Sequence, residues 1–206
     1  MGGAARGAPW LDVGVALRAL PGQRTSGDCE VVRVFDGGVL LAALDGLGHG
    51  AEAAHAARRG CAALERYAGE SPVSLMHRCQ TELQGTRGAA ISLASLSGRD
   101  ATLSWLSVGN VEGVLWRREE DGVKRADLVT RGGVVGNRLP SLRADVLTVG
   151  SGDTLVLATD GIRREFAEHV ELESSPQQLA NQILSRYARE NDDALVLVAR
   201  FTLARG

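Results

Sequence analysis

A surplus of positive charge is what this chain most plainly lacks. Its 206 residues carry 23 Lys plus Arg against 25 Asp plus Glu, a formal net charge of −2. No basic excess exists to neutralise a phosphate backbone or an acidic bilayer, which argues against nucleic acid and membrane as main partners. No apolar run approaches the 18 or more residues of a membrane span, and residues 1–9 lack the charged end and apolar stretch of a secretory leader. The expected compartment is the cytoplasm. Cysteine is scarce and odd in number: Cys29, Cys61 and Cys79 form no Cys-x-x-Cys pair and no zinc-ligand spacing. They read as buried small hydrophobes in a reducing environment. Aromatics make up only 4%, and Trp10, Trp105 and Trp116 read as packing residues. His55, His77 and His169 share no spacing that suggests a ligand set.

Glycine is abundant instead, at 26 of 206 residues against an average usage of about 7%, which predicts many tight turns. With 44% hydrophobic residues, the chain is long enough to bury a core without disulfide or metal staples. Residues 1–206 are expected to form a single domain whose residues 1–9 are flexible.

Along the chain, Leu11 to Leu20 predicts an edge strand. Cys29 to Phe35 and Val39 to Leu44 predict a hairpin around Asp36-Gly37-Gly38, because a tight turn needs positive φ angles. Ala51 to Ala68 places Ala54, Ala57, Cys61, Leu64 and Tyr67 at three- and four-residue spacing, an amphipathic helix. Pro72 suits the first turn of a second helix. From Arg87 to Thr159 the pattern is short β runs divided by turn residues, with a further hairpin turn at Asp121-Gly122. A helix over Pro176 to Glu190 and a strand over Ala194 to Leu203 follow. Consecutive strands with short connections imply antiparallel sheet, and two separate helical blocks must each cover a sheet face. The fold class is α+β: an antiparallel β-sandwich flanked by helices, in the layer order α-β-β-α.

Two Asp-Gly pairs do not join paired strands. Asp45-Gly46 and Asp160-Gly161 each put a carboxylate on a loop just beyond a strand end, where binding residues concentrate. Asp192-Asp193 stands at the start of a strand. If that strand runs antiparallel to the other two, these carboxylates share one rim, and a divalent cation would relieve their mutual repulsion. Hard oxygen ligands suit Mg²⁺ or Mn²⁺. Two such ions bridged by one aspartate can activate water and clamp phosphoryl oxygens, the chemistry of phosphomonoester hydrolysis. Turn and capping roles explain the same aspartates, and pattern alone leaves the two readings level.

The ordered series Ser26-Gly27-Asp28, Leu44-Asp45-Gly46-Leu47-Gly48-His49-Gly50, Ala158-Thr159-Asp160-Gly161 and Asn191-Asp192-Asp193-Ala194 resembles the motifs of metal-dependent serine/threonine phosphatases of the PP2C type, in their sporulation-phosphatase branch. The resemblance spans nearly the whole chain. It implies a two-metal centre at the sandwich edge: Asp45 bridging both ions, the Gly46 carbonyl on one, Asp160 and Asp192 on the other, and Asp28 acting through metal-bound water. Asp193 stands where larger members carry asparagine; it joins the candidate ligands, or supports them from behind. His49 comes three residues after Gly46 rather than directly after Asp-Gly, which favours a loop or helix-cap role over a general acid. Asn110 stands where larger members carry aspartate, which argues against a third metal. Arg24 is a candidate for the substrate phosphate or a solvent-facing residue. The implied partner is a phosphorylated protein, of the STAS type that switches bacterial stress signalling, docked around the metal rim and the irregular segment Arg131 to Arg143.

Two other readings compete with this one. Gly46-x-Gly48-x-x-Ala51 between a strand and a helix fits a dinucleotide-binding turn, but a second helix rather than a parallel strand follows. A phosphatase fold that is catalytically weak or dead and serves only for docking is disfavoured by the full carboxylate set.

Overall fold

The computed structural model describes residues 8–202. Its elements, in order, are β1 (Leu11–Arg18), β2 (Asp28–Phe35), β3 (Gly38–Gly46), α1 (Ala51–Arg66), α2 (Pro72–Glu82), β4 (Ala89–Ser97), β5 (Thr102–Val108), β6 (Glu112–Glu119), β7 (Gly122–Leu128), β8 (Asp145–Thr148), β9 (Thr154–Ala158), α3 (Pro176–Tyr187) and β10 (Ala194–Phe201), with a short 3₁₀ turn at Arg164–Glu168. Two five-stranded sheets form, one in the order β1-β10-β9-β6-β7 and the other β2-β3-β4-β5-β8. Every pairing between these strands is antiparallel.

The apolar runs of β3 and β10 are continuous because both faces of each strand are covered. In β3, Val39, Leu41 and Ala43 join the core between the sheets, while Leu40, Ala42 and Leu44 pack under α1 and α2. In β10, Leu195, Leu197, Ala199 and Phe201 face the same central core, and Ala194, Val196 and Val198 pack under α3. The layers are thus helix, sheet, sheet, helix, as the two separate helical blocks require. Pro72 and Pro176 both sit in the first helical turn, behind N-caps Ser71 and Ser175, and Ser175 closes a capping box with Gln178.

Three expectations need adjustment. Residues 1–7 and 203–206 lie outside the described residues, so the flexible start and the expected end of the last strand at Leu203 concern them only in part. Ala8, however, is buried in the central core and its carbonyl accepts from the Leu11 amide. α3 stops at Tyr187 rather than Glu190: Ala188 turns extended and bridges Ile162, and the Arg189 amide donates to the Gly161 carbonyl at 2.7 Å. The segment from Arg131 to Arg143 is irregular as expected but tied down. Its Val135 pairs with Ala89, Arg131 with Val108, and Gln80 bonds both the Gly136 amide and the Asn137 carbonyl.

Candidate metal centre

Strand register alone brings the first two aspartates together. Asp28 opens β2 directly across from Asp45 near the end of β3, and facing residues of an antiparallel pair lie on the same side of the sheet. In the other sheet, Ala158 at the end of β9 is paired with Val196, so Asp160 beyond β9 and Asp192-Asp193 before β10 emerge at one end. A side-chain bond joins the two groups: Thr159 Oγ1 donates to Asp28 Oδ2 at 2.8 Å, and also accepts from the Leu195 amide at 2.9 Å. Carboxylates from both sheets therefore share one rim.

Their surroundings differ. Asp28 is buried, Asp45 and Asp192 are half-buried, and Asp160 is exposed. Asp193 is buried, and both its oxygens are engaged, accepting from the Leu20 amide at 2.7 Å and the Gly27 amide at 2.8 Å. It fastens the β1–β2 loop to the start of β10. Gly46 is enforced by packing, since a Cβ there would stand 2.1 Å from the Ala53 carbonyl oxygen. His49 and Arg24 are both exposed, His49 on the loop between β3 and α1 and Arg24 on the loop between β1 and β2.

The electrostatics are those of a site short of positive charge. Burial, then repulsion from Asp45, pushes the Asp28 carboxyl up to about 8 against the lowering effect of the Thr159 hydroxyl. Burial, then repulsion from Asp160 and Asp192, pushes Asp45 up to about 7. Asp192 is raised by the same two causes, burial first and Asp160 second. Among the described residues no three acidic, imidazole or thiol groups already close tightly enough to enclose an ion. The fit to Mg²⁺ or Mn²⁺ thus lies in donor chemistry, several hard oxygens whose shared charge a cation would relieve, and not in preformed coordination.

Two residues received no role from the sequence. Thr159 stands inside a quoted motif, yet its bond to a residue 131 positions earlier leaves no local signal. Asn110 donates from Nδ2 to Asp160 Oδ2 at 2.5 Å, and its side chain lowers the Asp45 pKa against the raising effect of burial.

A double antiparallel sandwich with helices outside and an aspartate rim where the sheets meet is the construction of the PP2C-type serine/threonine phosphatases. The chain belongs to the stage II sporulation protein E (SpoIIE) family, whose model matches residues 36–202. It is 21% identical over 182 residues to the phosphoserine phosphatase RsbX of Bacillus subtilis, an alignment covering 88% of this chain and 90% of that protein. A crystal structure of RsbX in complex with magnesium superposes with a TM-score of 0.82 at 21% identity, covering 93% of this chain and 95% of the other. A structure from work on the bacterial stressosome, described as a modular system adapted to control secondary messenger signalling, gives a TM-score of 0.83 at 30% identity, over 92% of this chain and 99% of that one. The catalytic domain of the serine/threonine phosphatase PstP, solved with two manganese ions, shares the fold at a TM-score of 0.65 and 16% identity, over 92% and 97%. Among the described residues, no helix is long and apolar enough to cross a membrane.

Proposed function

We propose that this protein is a metal-dependent protein phosphatase that hydrolyses phosphoserine or phosphothreonine on STAS-type partners of a bacterial stress-signalling switch, in the cytoplasm. The observation that carries the reading is the rim itself: Asp28 and Asp45 from one sheet meet Asp160 and Asp192 from the other, in a chain of the SpoIIE family. Asp45, Asp160, Asp192 and the Gly46 carbonyl are the residues that would hold two ions of Mn²⁺ or Mg²⁺. When bound, such a pair lowers the pKa of water and neutralises phosphoryl oxygens.

The chain's own residues do the rest. Asp28, buried and bonded by the Thr159 hydroxyl, would accept a proton from water at the rim, the role of a general base. Asp193 supports the site through the Leu20 and Gly27 amides rather than through a ligand bond. The exposed position of Asp160 leaves the rim open, so a phosphoryl group on the surface of a folded protein can reach it without entering a deep pocket. The curated relative named for phosphoserine and the stressosome-associated structure favour that substrate class.

Phosphate release from phosphorylated STAS proteins, with Mn²⁺ and with chelator, tests the reading. Asp45→Asn should lose most activity, by 100-fold or more on the order of removing a catalytic charge, while circular dichroism stays that of the wild type. Full turnover by the folded variant in chelated buffer would sink the mechanism. Hydrolysis of a generic phosphopeptide with every STAS protein untouched would remove the partner and leave the phosphatase.

A further inference from the structure

Asn110 stands where the chain crosses between sheets. It lies between β5, in one sheet, and β6, in the other. Gly109 before it takes φ 105° and leaves no room for a side chain, since a Cβ would come 2.4 Å from that of Ala90. This fixes the turn at the aspartate rim, where the Asn110 amide nitrogen donates to Asp160 at 2.5 Å and the side chain stands close enough to Asp45 to favour that carboxylate's charged form. Asp45 belongs to β3 and Asp160 follows β9, so their separation is set by no strand register; they come from different sheets. Left alone, two carboxylates facing each other across that seam would splay apart into water. A carboxamide nitrogen has two hydrogens and no charge. It can bond one oxygen of each carboxylate without adding to their repulsion, which an ionised aspartate at the same place could not.

We infer that Asn110 is a positioning residue, a neutral clamp that holds the Asp45 and Asp160 carboxylates at a set separation across the seam and so readies them for a divalent cation. The inference rests on the metal-centre reading above. Hydrogen-bond partners that orient metal ligands are typically worth about 10–100-fold in affinity. Asn110 acts through the two aspartates and need not touch the substrate.

The test is calorimetric titration of Mn²⁺ into the metal-free full chain, with no phosphate compound present. Asn110→Ala should weaken Mn²⁺ binding by about tenfold or more. Its metal-free thermal midpoint should stay within about 2 °C of wild type, because the residue is exposed and the freed carboxylates still face water. Asn110→Gln, which keeps both amide hydrogens on a longer arm, should recover part of the affinity, and Asn110→Leu, similar in bulk but without a donor, should behave as alanine does. Unchanged affinity in Asn110→Ala, or equal loss in the Gln and Leu variants, overturns the clamp. A wild type that takes up no Mn²⁺ overturns the clamp and the metal centre together, before any variant is made. Mn²⁺ binding without phosphopeptide hydrolysis removes only the catalytic reading.

Discussion

Gly161 shows how little freedom single residues have near the rim. A Cβ there would stand 1.7 Å from the Asp193 carbonyl oxygen, so the loop carrying Asp160 lies against the backbone before β10 with no space for a methyl group. Gly161→Ala should therefore part the two segments, costing about 3 kcal/mol or more and abolishing Mn²⁺ binding; urea unfolding and calorimetry measure the two effects. The cysteines offer a second check. Cys29 and Cys61 both lie near the Glu30 carbonyl, each sulfur 3.8 Å from it. A hydrogen bond from Cys61 holds the Cys29 thiol below its usual value and raises Cys61, while burial pushes Cys79 up to about 12. Alkylation by iodoacetamide at mildly alkaline pH should thus label Cys29, the half-buried one, well before the buried Cys61 and Cys79, read by peptide mass spectrometry. Equal rates at all three would contradict the packing. At this scale the acidic residues were legible because each lies at or next to a strand end, although Asp45-Gly46, expected on a loop beyond β3, closes that strand instead because Asp45 pairs with Asp28. Thr159 and Asn110 were not, because a hydroxyl and an amide acquire their roles only from partners on the opposite sheet.

Helix α3 shows what elements contribute. It covers its sheet so closely that a Cβ on Gly14 of β1 would meet the Gln177 backbone nitrogen at 2.3 Å. Gln177 itself bonds both the amide and the carbonyl of Val15, at 3.2 and 2.7 Å. The helix N-terminus is therefore anchored twice, by the Ser175 capping box and by β1. Ser175→Ala should cost about 1 kcal/mol, visible in denaturant midpoints, with phosphatase activity retained because the cap lies by the opposite end of β10 from the rim aspartates, where Arg200 donates to the Ser174 carbonyl. Elements were the most readable level of this sequence. The two-faced burial of β3 and β10 wrote itself as unbroken apolar runs, and the helices wrote their period plainly. The end of α3 was misplaced because nothing in Ala188 to Glu190 opposes a helix locally. What stops it is the pairing of Ala188 with Ile162, a tertiary demand.

For the whole molecule, the crowded carboxylates link stability to pH and metal. Asp28 and Asp45 titrate at about 8 and 7 in the fold against an ordinary value of 3.8. Between these limits the folded chain binds more protons than the unfolded one, so stability falls as pH rises. The contribution of the pair is most favourable below about pH 4 and is lost on the way to pH 8. The metal-free protein should accordingly melt several degrees lower at pH 8.5 than at pH 5.5, at about 2–4 °C per kcal/mol for a domain of this size. Mn²⁺ should shrink or reverse that slope, because it binds the ionised carboxylates that protons compete for. A metal-free melting temperature that rises over this pH range would refute the crowding.

The pairing of β1 with β10 also has a bearing on time. Leu11 lies opposite Phe201 and Arg18 opposite Ala194, and among the described residues β1 has no other neighbour in its sheet. As the chain leaves the ribosome, β2 to β5 can zip up in sequence order with α1 and α2 on top, while β1 must wait for β10 to be made before it finds its mate. Such long-range closure is slow and comes late. Asp192 and the strand beside Thr159 arrive in that same step, so Asp28 and Asp45 stand without their full set of counterparts until β10 has formed. An enzyme assembled in this order has no half-built active form: its rim is incomplete until β10 is in place.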